Sequence, residues 1–280
     1  MLSVGSTVGS NLIDGVLGVG AMSVVYRARR PDSTPVALKV LADELSGNPW
    51  FRARFKREAD VQRAFVHPHM IPLYDFGESE EGMYIVMPVI EGPTLKAMLA
   101  TSRVDPWLSI RLLSQVADAL DAARARGLVH RDVKPQNIIV GPGDHAYLAD
   151  FGLVTAGLGA PLTQTGQVLG TIDYLSPEQA RAELVTASSD VYGLACVLCE
   201  ALTGDVPFPR STPPATVFAH LTEPPPRVSE RRPDLPPALD EVIAQGMAKD
   251  PTARPGSAVA LVELAADALR AAERVSAGRA

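Results

Sequence analysis

The chain changes character at Glu91-Gly92-Pro93. Before that break, apolar residues come in short runs rich in β-branched side chains: Ile13 to Leu17, Val24-Val25-Tyr26, Val36-Ala37-Leu38-Lys39-Val40 and Tyr84-Ile85-Val86-Met87. Such runs, with turns such as Arg30-Pro31-Asp32-Ser33 between them, predict strands. One segment departs from this pattern. From Trp50 to Phe65, the residues Phe51, Phe55, Ala59 and Gln62 or Arg63 recur at helical spacing. After the break the pattern becomes helical. Ile110 to Arg126 carries Leu112, Leu113, Val116, Leu120 and Ala123 on one side and stops at Gly127. Ser188 to Leu202 and Ser257 to Arg274 are two further predicted helices. A chain built this way is expected to be α+β, with a small β-rich part holding one main helix and a larger, mainly helical part.

Composition narrows the function classes. The 280 residues are 46% hydrophobic, ample for a core, and their net charge is −6. That balance argues against nucleic acid or an anionic membrane as the main partner. No run approaches the ~18–20 uncharged apolar residues that cross a bilayer, and the N-terminus lacks a basic segment with an apolar signal core. The only cysteines, Cys196 and Cys199, lie in an apolar run. With no second pair to complete a zinc site, they read as buried thiols of a helix in a reducing compartment. Ten prolines lie between Asp205 and Pro237. They suit loops between packed helices better than a polyproline ligand.

The chemistry concentrates in His130-Arg131-Asp132-Val133-Lys134-Pro135-Gln136-Asn137, followed by Asp150-Phe151-Gly152. A carboxylate, a lysine, an amide and a second carboxylate at this spacing suit phosphoryl transfer, which depends on positioning and charge neutralisation. Upstream, Leu17-Gly18-Val19-Gly20-Ala21-Met22-Ser23-Val24-Val25 places two glycines between strands. A nucleotide P-loop or a dinucleotide fingerprint would need a helix next. These motifs, with Gly170-Thr171-Ile172-Asp173-Tyr174-Leu175-Ser176-Pro177-Glu178-Gln179-Ala180, resemble bacterial Hanks-type (eukaryotic-like) serine/threonine protein kinases. The resemblance runs from about residue 11 to about 272. It implies one kinase domain over 1–280: a small lobe at 1–87, a hinge at 88–92 and a large lobe at 93–280.

The resemblance implies the following roles. Asp132 would accept the proton of a Ser or Thr hydroxyl, and Lys134 would neutralise γ-phosphate charge. Lys39 would touch the α- and β-phosphates, held by Glu58. Asn137 and Asp150 would hold Mg²⁺, or Mn²⁺ in its place. ATP would lie against Leu17, Gly18, Val19, Gly20, Ser23, Val25, Ala37, Met87, Pro88, Ile90 and Ile139. In that set Met87 is the residue at the back of the adenine pocket, and the Ile90 N–H faces the base. Thr171, Glu178, Asp190 and Arg254 would be scaffold, with Glu178 paired to Arg254 and Asp190 capping the His130 loop.

Regulation follows from the same resemblance. Arg131 needs an anion, which a phosphate on Thr163 or Thr165 would supply. Leu153 points to serine acceptors, in tension with threonine autophosphorylation. Two departures from the family pattern stand out. Ser23 replaces a third glycine, and Gln62 stands where an apolar residue usually packs against the Phe of Asp-Phe-Gly. A polar residue there predicts a helix that needs activation to dock. Protein substrates, a homodimer for trans-autophosphorylation and a cytoplasmic location are expected, either as a soluble kinase or as part of a longer membrane-anchored one. A non-catalytic binding relative would lack one of Lys39, Asp132, Asn137 or Asp150; a small-molecule phosphotransferase would lack the segment from Gly170 to Glu178.

Overall fold

The computed structural model describes residues 1–20, 23–42, 49–151 and 172–277, with no side-chain placement for Trp50, Arg54, Ser276 or Ala277. Among the described residues its contacts form two compact units, Met1–Glu91 and the residues from Gly92 onward.

The first unit is a six-stranded antiparallel sheet, ordered β1-β2-β3-β4-β6-β5. The strands are β1 (Thr7–Val8), β2 (Asn11–Val19), β3 (Ser23–Arg29), β4 (Pro35–Leu41), β5 (Asp75–Ser79) and β6 (Gly82–Pro88). Strand alternation sorts their side chains. Tyr26, Ala28, Val36, Leu38, Val40 and Val86 join Val8 and Ile13 in one buried cluster. The alternate residues therefore share the opposite face. Cross-strand pairing aligns Gly18, Val25, Lys39, Ile85 and Phe76 in a single row on that face. The helix α1 (Pro49–Arg63) covers the same face: Phe55 meets Phe76 edge-on with centroids 6.3 Å apart, and Arg63 stacks on Phe76.

The second unit contains α2 (Leu95–Thr101), α3 (Pro106–Arg124), the hairpin β7 (Ile138–Gly141) and β8 (His145–Leu148), α4 (Pro177–Ala180), α5 (Ala187–Thr203), α6 (Pro213–Thr222), α7 (Val228–Arg231), α8 (Ala238–Gly246) and α9 (Ala258–Ala277). Helix α5 forms its centre: every residue from Ser189 to Thr203 is buried. Thr186 and Ser189 close its start with a capping box, and Gly204 ends it at φ +88°. Asp105 caps α3, with Pro106 in the first turn. Asp121 of α3 accepts the Ala258 and Val259 N–H groups at 3.0 Å each, so one helix caps the next. The prolines from 205 to 237 separate or open short helices; Pro213 begins α6. Cys196 and Cys199 are buried free thiols whose pKa values burial raises, to about 12 for Cys199. No helix among the described residues is long and apolar enough to cross a membrane.

Candidate active site

The residues singled out above divide between the two units, and each half is built by its own local rules. In the first, alternation puts Lys39 mid-strand on the sheet face that α1 covers. On α1, Glu58 lies half-buried on the side that carries the buried Phe55, Ala59 and Gln62. Ala37 pairs with Met87, and Val36 with Pro88, so the proposed adenine contacts Val25, Ala37 and Met87 share one face. Leu17 and Val19 are exposed near the end of β2. The Gly20 N–H donates to the Ser23 carbonyl at 2.9 Å.

Gly18 has no internal reason to be glycine. A Cβ there would meet nothing within 4 Å, and its backbone is not left-handed. Gly9 and Gly77 contrast with it, since a Cβ at either would strike the Tyr84 ring. What glycine leaves open at 18 is close approach from outside, as backbone N–H groups cradling a phosphate require.

In the second unit the catalytic loop is densely hydrogen-bonded. Asn137 Nδ2 donates to the Asp132 carbonyl (2.8 Å) and to its Oδ2 (3.0 Å). Lys134 Nζ lies 2.7 Å from the same Oδ2. One carboxylate oxygen is thus held by an ammonium and an amide together. With its nitrogen committed, Asn137 keeps its oxygen as the atom able to ligate a cation. The Ala149 N–H donates to the Asn137 carbonyl (2.7 Å), tying Asp150 to this loop through its neighbour. Asp150 and Arg131 both adopt left-handed φ, +58° and +69°. For a non-glycine residue that is costly unless its surroundings impose it.

His130 supplies part of that constraint. Its Nε2 lies 3.0 Å from the Ala149 carbonyl, its Nδ1 accepts from the Asp132 N–H (3.3 Å), and its ring lies 5.0 Å from that of Phe151. Burial lowers its pKa to about 4, so near neutral pH it is an uncharged spacer. Asp190 of α5 accepts the His130 N–H (2.8 Å) and the Arg131 N–H (2.7 Å). Ile139 stands half-buried in β7.

The matches to known proteins fit this geometry. The protein kinase domain model matches residues 13–265. The chain is 43% identical to the serine/threonine-protein kinase PknD of Mycobacterium tuberculosis over 274 residues, covering 97% of this chain and 41% of PknD. It is 41% identical to PknH of Mycobacterium bovis over 268 residues, covering 95% of the chain and 45% of that relative. The chain belongs to the protein kinase domain family. Among solved structures, the PknI kinase domain of M. tuberculosis matches at 30% identity with TM-score 0.79, covering 96% of this chain and 99% of that one. The chain thus spans about two fifths of the length of the curated relatives it matches.

The kinase domain's scaffold residues also meet. Arg254 grips Glu178 through both carboxylate oxygens, at 2.7 and 2.8 Å, and Ser189 Oγ donates to Glu178 at 2.6 Å. Burial pushes the Glu178 pKa up, but the Arg254 and Ser189 hydrogen bonds outweigh it and leave the carboxyl below its usual value. Gln179 Nε2 donates to the Arg131 carbonyl at 2.8 Å, a contact sequence reasoning missed. It also missed Tyr174, whose hydroxyl donates to Glu200 at 2.5 Å, with Lys96 Nζ 2.6 Å from the other Glu200 oxygen. Partners separated by 26 and 104 positions leave no local signal. Leu153, Thr163, Thr165 and Thr171 lie outside the described residues.

Proposed function

We propose that this chain is an ATP-dependent serine/threonine protein kinase that moves the γ-phosphoryl group to protein hydroxyls. The observation that carries the reading is the Asp132–Lys134–Asn137 cluster, where one carboxylate oxygen is fixed by two donors. A base held this way can orient an incoming hydroxyl and accept its proton. Lys134, beside that base, neutralises charge on the transferring group. The relatives' names, serine/threonine-protein kinases, support the same acceptor class.

In this reading Lys39 holds the α- and β-phosphates with Glu58 behind it, and backbone near Gly18 and Gly20 covers them. Leu17, Val19, Ser23, Val25, Ala37, Met87, Pro88, Ile90 and Ile139 contact the nucleotide. Asp150 and Asn137 offer two hard oxygen ligands, which fits Mg²⁺ or Mn²⁺ delivered with nucleotide phosphates rather than caged by protein alone. When bound, the cation supplies charge neutralisation on those phosphates. Thr171, Glu178, Asp190 and Arg254 hold the acceptor side. Thr163 and Thr165 are the proposed autophosphorylation sites, modified in trans within a homodimer, and the domain works on the cytoplasmic side.

The test is transfer of labelled phosphate from γ-labelled ATP to the chain and to a generic basic protein. Label is expected with the native chain and lost in Asp132→Asn or with EDTA. Equal labelling by native and variant chains would refute the reading. Mass spectrometry after incubation with ATP and Mg²⁺ is expected to find phosphate on Thr163 or Thr165; finding neither modified removes that part.

A further inference from the structure

Five of the chain's 26 basic residues are lysines. Three of them have carboxylate partners: Lys56 lies 3.5 Å from Glu78, Lys96 2.6 Å from Glu200 and Lys134 2.7 Å from Asp132. Lys39 belongs to the proposed nucleotide site. Lys249, half-buried in the segment after α8, has no part in that site and no ion pair among the described residues. The carboxylate next to it, Asp250, is spent on the Thr252 N–H and hydroxyl, both at 2.8 Å. The Lys249 ammonium lies instead over two rings, 4.9 Å from the centre of Phe208 and 5.9 Å from that of Tyr192. Its hydrogen bond to the Ala219 carbonyl is long, at 3.5 Å.

The groups around this ammonium favour its neutral form. Burial opposes the charge most, and the cations Arg254 and Arg181 oppose it too. Two groups could support it. Cys196 stays a protonated thiol, because burial holds its pKa well above the usual value, and Glu223 is already paired with Arg210. Burial lowers the His220 pKa to about 3 and raises that of the Tyr192 hydroxyl, so neither brings a charge near neutral pH. The Lys249 pKa falls from 10.5 to about 8. A lysine desolvated on an apolar surface beside other cations is an activated nucleophile.

We propose that Lys249 is a covalent modification site, where its amine takes the acyl group of a small acyl phosphate. The nitrogen lone pair forms the new C–N bond to the carbonyl carbon. The bond from that carbon to the phosphate oxygen breaks, phosphate leaves with its electron pair, and the amine proton passes to solvent. The donor class follows from the surroundings. Arg181 is at the surface, and its carboxylate partner Glu183 is no closer than 3.9 Å, so its guanidinium can receive the departing phosphate. The product is a neutral amide whose short acyl chain suits the Phe208 and Tyr192 rings, and it removes a like charge from beside Arg254. The site does not depend on the kinase reading.

The test is incubation of the native chain with acetyl phosphate across a range of pH, with peptide mass spectrometry of every lysine. An amine with a pKa near 8 is about one quarter neutral at a pH of about 7.5, against roughly one thousandth for an ordinary lysine, and its lower basicity gives back only part of that advantage. Lys249 is therefore expected to acetylate about tenfold faster at that pH than Lys56, whose side chain is 52% exposed. Its rate is expected to level off above a pH of about 8 while that of Lys56 keeps rising. In denaturing urea the advantage is expected to vanish. The surface variant Arg181→Gln is expected to slow Lys249 about threefold and leave Lys56 unchanged. A Lys249 rate at or below that of Lys56 overturns the inference, as does an advantage that survives in urea. An unchanged Lys249 rate in Arg181→Gln overturns the acyl phosphate as its donor.

Discussion

The catalytic loop and helix α1 both bury polar groups, and they satisfy them differently. In the loop, Asp132 is held by Lys134 and Asn137, His130 by Ala149 and Asp132, and Asp190 by two backbone N–H groups. On α1, Gln62 is 6% exposed, and its Oε1 has no hydrogen-bond partner among the described residues. Two of the ion pairs that hold α1, Arg52 and Lys56 with Glu78, are at the surface. An orphaned buried acceptor costs roughly 1–3 kcal/mol, and a surface pair returns about 0–1. The loop is therefore the more heavily tied of the two, although its Gln136 Oε1 is also buried without a partner among the described residues, while α1, which carries Glu58, sits on a narrower margin. In the proposed kinase the first region carries the chemistry and the second has room to adjust.

Changes in the loop should abolish function or folding, and the largest effect is expected there. Asp132→Asn should lower kcat by about a thousandfold with an unchanged circular dichroism spectrum; a drop below tenfold would mean the loop is not the seat of the chemistry. Next is Arg254→Met, which strands buried Glu178. It should cost about 3–5 kcal/mol in urea unfolding, and a loss under 1 kcal/mol would make the pair dispensable.

Asp190 offers a subtler probe of the loop. Burial raises its pKa from 3.8 to about 7 against the pull of the His130 and Arg131 N–H groups. As pH rises from about 4 to 7, the unfolded chain releases this proton before the folded chain does. The Asp190 contribution to stability therefore falls across that window. The stability gap between native and Asp190→Asn should narrow from pH 4 to pH 7; a gap that widens refutes the assignment. His130, lowered to about 4 from 6.5, acts oppositely, adding stability as pH rises between those values. The smallest effect is expected on α1. Gln62→Leu removes the orphaned acceptor and should stabilise the chain by about 1–3 kcal/mol while raising basal transfer. Unchanged basal transfer would erase the contrast between the two regions.

Much of the fold was readable in order along the chain. The predicted helix at 110–126 is present at 106–124, earlier by one turn because Asp105 caps it and Pro106 opens it. Strand β5, Asp75-Phe76-Gly77-Glu78-Ser79, was missed because it lacks an alternating apolar pattern; it exists as the edge partner of β6. The four-residue strands β7 and β8 were missed because they are too short to show a period.

The sequence by itself supplied the groups of the proposed site, Lys39, Glu58, Asp132, Lys134, Asn137 and Asp150, each inside a motif with local spacing. It also determined which sheet face Lys39 shares with Val25, because alternation along a strand is a local rule. The Glu178–Arg254 pair, 76 positions apart, is expected from the family resemblance and is present, whereas only the tertiary structure brought Lys96 to Glu200 across 104 positions. Burial decided the rest, leaving His130 uncharged and Gln62 without a partner for its oxygen. The physical reason is range. Spacing and periodicity act over a few residues, whereas desolvation and ion pairing depend on what the folded chain brings within a few ångströms.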